Sequence, residues 1–199
     1  MRINIVLQSI VCSLLFFPLL PMRMAQATTA VERTFPDLVH RAEVVAVGTV
    51  TNVREQWDAA RRAPFTYVTF SHLTMLKGTA QEETLTLEFL GGHEPDGTLL
   101  VVHGVPHFSI GEKTVIFCTG NRRDFCPLVG LWQGLLRVER DPQLGIETVS
   151  NHAYVPLIGL RSGRLLERTP ETPTQSALPL TTLIELIQDE LRNFYEYER

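Results

Sequence analysis

Over most of the chain the hydrophobic positions alternate with polar ones or run together in short β-branched stretches. Leu85, Leu87 and Phe89 face one way while Thr84, Thr86 and Glu88 face the other. That period of two is what a half-buried strand requires. Val44-Val45-Ala46-Val47-Gly48-Thr49-Val50 is nearly continuous and β-branched, which predicts a strand buried on both faces. Gly48 inside it predicts a bulge or a close backbone crossing. A second long strand is expected from about Phe65 to Leu76, ending at Lys77-Gly78. Further strands are expected at 114–118, 128–131 and 134–140. A turn at 141–145 then leads to 146–149, and a last strand covers 153–160. Residues 54–64 are polar except for Trp57 and read as a loop. Residues 91–112 read as a long connection rich in glycine and proline, with a short apolar piece at 99–102.

Helical spacing is expected at the two ends of this strand series. Thr34 can cap a short helix reaching about Ala42, with Pro36 and Asp37 in its first turn. Near the C-terminus, Thr182-x-x-Glu185 matches a capping box. Leu183, Ile184, Ile187, Leu191, Phe194 and Tyr195 follow at helical spacing, which predicts an amphipathic helix over 182–197. Strands in succession without intervening helices predict a mainly β protein. The expected form is a small antiparallel closed barrel (OB-like) or a sandwich, with a short N-terminal helix and a C-terminal amphipathic helix. The expected organisation is a signal peptide at 1–27, the β-barrel domain at 28–165, a linker at 166–180 and the C-terminal helix at 181–199.

The first 27 residues read as an export signal: Arg2, an apolar run from Ile3 to Leu20, and Ala25-Gln26-Ala27 as a cleavage pattern. The run is short and Pro18 and Pro21 interrupt its end, which favours cleavage over a retained span of about 20 residues. Its removal takes away Arg2 and Arg23 and no acid, so the formal charge moves from −4 to −6. A mildly acidic domain has no electrostatic footprint for nucleic acid. Arg61-Arg62 and Arg122-Arg123 read as solvated loop charge.

Of three cysteines, Cys12 leaves with the signal, so Cys118 and Cys126 remain as an even pair. In an oxidising compartment they are expected to form a disulfide across a short polar loop, stabilising by roughly 2–3 kcal/mol less any strain. Seven intervening residues disfavour a CxxC-type redox pair, and two thiols are too few for a typical structural zinc site.

The order of motifs over residues 34–140 resembles a group of uncharacterised exported bacterial proteins. It runs from Asp37-Leu38-Val39-His40-Arg41-Ala42 through the 44–50 strand to Thr74-Met75-Leu76-Lys77-Gly78. Gly91-Gly92, Gly104-Val105-Pro106-His107-Phe108 and Gly111-Glu112-Lys113 follow, then Val129-Gly130-Leu131-Trp132-Gln133-Gly134. The strand order is also similar to netrin-like and metalloproteinase-inhibitor domains, which implies an OB-type five-stranded barrel. Those inhibitors chelate zinc through an N-terminal cysteine. The expected mature N-terminus is Thr28, and no cysteine lies between it and Cys118, so the resemblance implies only the fold.

Little in the chain points to catalysis. His93-Glu94-Pro95 does not fit HExxH, and Gly104 and Pro106 prevent His103 and His107 from sharing a helix face. Neither a Gly-x-Ser-x-Gly elbow nor a phosphate-cradling glycine loop occurs. No metal or cofactor is expected. Trp57, in a polar stretch, and Trp132, between Gly130 and Gly134, are candidate anchors for a partner. His103 and His107 join them as candidate partner-binding residues on the 91–108 connection. The reading is therefore an exported, periplasmic or secreted, non-enzymatic domain that binds a protein or envelope partner. The membrane is involved only through an uncleaved signal segment. The alternatives are a protease-inhibitor-like module that occludes an active site with a loop, and a metal-dependent hydrolase using His103 and His107.

The intact mass of protein recovered from the exported fraction should begin at Thr28, with two thiols labelled only after reduction. A full-length mass with freely labelled thiols would overturn both the export and the disulfide expectations.

Overall fold

The structure is a computed structural model that describes residues 31–80 and 83–197. The signal segment and Cys12 lie outside the described residues. The elements in chain order are α1 (Phe35–Arg41), β1 (Val44–Asp58), β2 (Ala63–Lys77), β3 (Leu85–Leu90), β4 (Gly92–His93) and β5 (Leu99–Leu100). They continue with β6 (Lys113–Cys118), a 3-10 turn (Leu131–Gly134), β7 (Leu135–Arg140), β8 (Glu147–Ser150), β9 (Leu157–Arg161), β10 (Arg164–Glu167) and α2 (Leu180–Tyr197). Six strands form one antiparallel sheet in the order β3-β2-β1-β6-β7-β8, and β4-β5 and β9-β10 are separate two-stranded ladders.

The protein is thus mainly β with a C-terminal helix, as expected. The six-stranded sheet is open: β3 forms one edge and β8 the other. Polar groups on both edges are nevertheless occupied, as exposed strand edges demand. On the β3 edge, Leu90 N donates to Phe125 O (2.8 Å) and Glu88 N donates to Asn121 Oδ1 (3.1 Å). The Asn121 amide in turn donates to Thr86 O (2.9 Å). Asn121 thereby substitutes for a neighbouring strand. On the other edge, Val149 N donates to Leu178 O (2.9 Å) and Leu178 N donates to Leu157 O (2.7 Å). The segment before α2 therefore links β8 to the β9–β10 ladder.

Both faces of the sheet carry a core. Val45, Val47, Val115, Phe117 and Leu136 point to one side, where they pack with α1 and α2. Their strand neighbours Ala46, Ile116 and Leu135 point to the other, against Val68, Phe70, Leu87, Phe89 and Phe108. The continuous apolar run at 44–50 follows from this double burial. The β1–β2 register shifts across Gly48, and His72 opposite it adopts φ 53°. A Cβ on Gly48 would lie 2.8 Å from Leu73 Cδ2, so the expected bulge and close crossing are both present.

Thr34 caps α1: its hydroxyl accepts from Asp37 N, and Asp37 Oδ2 accepts from Thr34 N (both 3.2 Å). At α2 the expected box is displaced, because the helix starts at Leu180 and Thr182 lies within it. Leu180 and Leu183 are buried, which draws the first turn into the core ahead of the polar start signal. Residues 54–58, expected as a loop, continue β1 as a two-stranded arm with β2, pairing Trp57 with Pro64 and Glu55 with Thr66. The expected 128–131 strand is a single bridge from Leu128 to Cys118 followed by the 3-10 turn. β10 was not expected, and at Arg164–Glu167 it crosses the expected boundary between the β domain and the 166–180 segment.

Leu183, Ile187 and Leu191 insert the apolar face of α2 into the same core as α1 and the sheet. Ile187→Ala should therefore lower unfolding stability by about 2–5 kcal/mol, read from urea denaturation. A loss below about 0.5 kcal/mol, the ordinary range for a surface substitution, would mean the helix is not docked there.

Candidate functional site

The 91–108 connection folds back over the β1–β2 arm and encloses a groove of about 310 Å³. Two glycines make the reversal possible. Gly91 and Gly92 have φ 128° and 131°, and a Cβ on Gly92 would stand 3.2 Å from the Glu55 carboxylate. The connection is tied to the arm by Gly91 N donating to Pro64 O (2.9 Å), Thr66 Oγ1 donating to Gly91 O (2.9 Å) and His93 N donating to Glu55 Oε2 (2.9 Å). His93 Nδ1 also lies 2.6 Å from Glu55 Oε2. Hydrogen bonds from the His93 ring and backbone hold the Glu55 carboxyl below its ordinary range.

The groove floor is apolar: Val53, Phe89, Leu100, Val105 and Phe108 line it. At its lip Leu99 is 53% exposed and Val101 77% exposed. A concave apolar site of this size with a few polar groups at the rim is the usual form of a binding pocket. Of the four side chains singled out in the sequence, His107 is one that lines it.

At the end of the connection a second cluster holds the loop in place. Arg137, on β7, is buried and its guanidinium has three partners. Nη1 donates to Glu112 Oε2 (2.7 Å), Nη2 to His107 O (2.8 Å) and Nε to His152 O (2.9 Å). The Tyr154 ring lies under the guanidinium at 4.3 Å, and its hydroxyl donates to Glu112 Oε1 (2.7 Å). Burial pushes the Glu112 carboxyl up, but the Tyr154 hydroxyl, the Ser109 N–H and Arg137 outweigh it and hold it below its ordinary value of 4.5. Hydrogen bonding to Glu112 raises the Tyr154 phenol, and burial with the nearby Arg137 charge lowers His152.

His103 and Trp132 meet here, with ring centroids 5.9 Å apart, and Trp132 packs on His152 at 5.7 Å on a different approach. Trp132 is half-buried in the 3-10 turn. Trp57 is half-buried on the β1–β2 arm and is not among the groove-lining side chains. The structure thus joins His103, His107 and Trp132 in one loop region and leaves Trp57 outside it. The sequence reading missed Arg137, Glu112, Tyr154 and His152. The available signal was Arg137 itself, a charge within Leu135-Leu136-Arg137-Val138. Among the described residues, no three His, Cys, Asp or Glu side chains converge as metal ligands would.

The arginine pairs expected as solvated loop charge are partly engaged. Arg61 stacks on Phe65 (3.6 Å) and grips the buried Glu88 carboxylate through two nitrogens, and Arg123 pairs with Glu43. Cys118 and Cys126 are both buried in the groove-side core and stand as free thiols. Burial pushes both thiols up, Cys126 to about 12. No helix among the described residues is long and apolar enough to cross a membrane. No protein-family model matches the chain, and no curated protein matches it.

Because the folded Glu112 pKa lies below 4.5, its contribution to stability is complete above that value. It is lost as pH falls through the folded pKa. Glu112→Gln should flatten this acid limb and, by leaving Arg137 buried without its counter-charge, cost about 3 kcal/mol at neutral pH. Denaturation curves at pH 7 and at about pH 2 read both effects. Equal losses for wild type and variant between the two pH values would refute the assignment.

Proposed function

We propose that the chain is exported, loses residues 1–27 and acts as a non-enzymatic module that binds an extracytoplasmic protein through the groove under the 91–108 connection. The partner supplies an apolar side chain, which fills the space lined by Val53, Phe89 and Phe108. Leu99 and Val101 contribute the surrounding contact surface. The observation that carries this reading is an apolar groove whose lip exposes Leu99 and Val101 to solvent, because exposed aliphatic side chains beside a concave apolar floor are characteristic of interaction sites. His107 contributes at the groove, and His103 and Trp132 support the loop that forms it.

The sheet is read here as an OB-like barrel left open along one seam, with the 119–127 loop lying along the free edge of β3. Support comes from the bonds of Phe125 and Asn121 to that edge. In an oxidising compartment Cys118 and Cys126 would close this loop as a disulfide, transferring two electrons and two protons to a disulfide-exchange oxidant. Their common burial in one core and the pairing of Cys118 with Leu128 favour it.

Immobilised mature protein should capture one dominant protein from an extracytoplasmic extract. Leu99→Asp combined with Val101→Asp should abolish that capture. Both positions are exposed, so the thermal midpoint should change little. Retention of every captured protein by a folded double variant would sink the reading.

A further inference from the structure

A second cavity, of about 160 Å³, lies on the helix side of the sheet and is separate from the groove. Its floor is apolar, formed by Phe35, Leu38, Leu136 and Leu157, all members of the core that packs α1 and α2. The Trp132 indole and His152 form a wall. Arg33 stands at the rim. Its Nε is buried and has no hydrogen-bond partner among the described residues, and Arg33 is absent from the ion pairs found there. A buried guanidinium nitrogen without an acceptor is costly and uncommon.

The arginine is held in position. Arg33 N donates to Gln133 Oε1 (2.7 Å), and the Gln133 amide donates to Val31 O (3.0 Å) and Gly130 O (3.1 Å). Its stem crosses Gly130, where φ is 66° and a Cβ would stand 2.7 Å from Arg33 Cγ. The carboxylates nearby are engaged elsewhere. Glu32 pairs with Arg164 (2.8 Å), and Glu167 accepts from the Asn151 amide (2.7 Å). Arg33 is left as the rim cation without a carboxylate partner among the described residues.

We infer that this cavity binds a small monocarboxylate with an apolar body, the carboxylate accepting from the Arg33 guanidinium and the body resting on the Phe35–Leu38 floor. A cavity of roughly 150 Å³ is large enough for a benzene-sized group, and here the polar side chains Glu32, Gln133, Asn151 and Arg164 share the lining with the apolar floor. A guanidinium offers planar, forked donors that match a carboxylate. The neighbouring Glu167 carboxylate disfavours a second negative charge on the ligand. This site does not depend on the partner-binding groove, which is lined by the core on the other face of the sheet.

Benzoate is the probe, added to the full mature chain carrying Trp57→Phe. That substitution leaves Trp132 as the reporting tryptophan of the two in the sequence. Benzoate should shift Trp132 emission saturably, with a Kd of about 0.1–1 mM, the range open to a ligand of this size. Benzamide has the same body without the charge and should bind at least about tenfold more weakly. Arg33→Gln should weaken benzoate by a similar factor, and Arg33→Lys should restore part of it. Equal binding of benzoate and benzamide, equal binding by Arg33→Gln, or no saturable change up to about 10 mM would each overturn the site. Loss of partner capture at the groove would leave it untouched.

Discussion

The central strands must be apolar on both faces, and most of the architecture follows from that. β6 pairs along its whole length with the first part of β1, from Val44 opposite Cys118 to Thr49 opposite Lys113. Each sends alternate side chains into a different core. The helices cover one face. The outer strands β2 and β3, the first of which pairs with β1 through register shifts, supply Val68, Phe70, Leu87 and Phe89 to the core on the other. A single-residue slip of β1 against β6 would exchange the contents of the two cores, so the register is fixed by packing on both sides at once. The same double burial explains why Thr114 is fully buried with an unpartnered hydroxyl. Its neighbours Val115 and Ile116 commit the strand, and the small side chain is carried in with them.

Charges in such a sheet need strong local compensation. Arg137 and Glu88 are the buried charged residues among those described, and each is placed where a loop reaches back to it. Arg137 takes a carboxylate and two carbonyls from the loops at 107–112 and 152. The Glu88 carboxylate takes the Arg61 guanidinium from the tip of the β1–β2 arm, and the Glu88 backbone N–H donates to Asn121 from the loop after β6. A buried ion pair is weak evidence for net stability but costly to break on one side only. These two pairs therefore act mainly as registers for loops: the first positions the end of the connection over the groove, the second holds the arm and the 119–127 loop against the edge of β3.

Strand alternation made the central sheet legible in the sequence, because Leu85–Phe89 and Val44–Val50 differ from their surroundings in period and in β-branching. The amphipathic stripe of α2 was equally legible, although its start was not: burial of Leu180 and Leu183 overrode a capping pattern that is only a local preference. The outer half of β1 was hidden for the opposite reason. Arg54, Glu55 and Gln56 lie on an arm with little core to cover, so their polarity reads as loop. The site was legible only in part. His103, His107 and Trp132 were marked by position in a glycine-bearing connection. Arg137 and Glu112, which organise that region, come from elements 25 residues apart in sequence and are brought together only by the β6–β7 pairing. Closure of a sheet depends on edge pairings between distant strands, and no local pattern in β3 or β8 encodes them.

The groove and the Arg33 cavity open on different cores, yet Trp132 touches the boundary of both. On one side a Cβ at Gly104, within the connection that builds the groove, would come 3.2 Å from the indole. On the other, the indole walls the cavity beside His152. His152 in turn gives its carbonyl to Arg137, which also binds the His107 carbonyl at the groove. A ligand that fixes the indole from the cavity side would bear directly on the turn at 103–105. Any such coupling must be reciprocal, since a free energy of interaction between two sites is shared by both. The packing restricts its form: Leu131 Cδ1 would lie 2.7 Å from a Gly104 Cβ, so the turn has little room to approach the indole. A response at the groove would therefore have to come through reorientation of Trp132 and its histidine neighbours, with the strands beneath held by both cores.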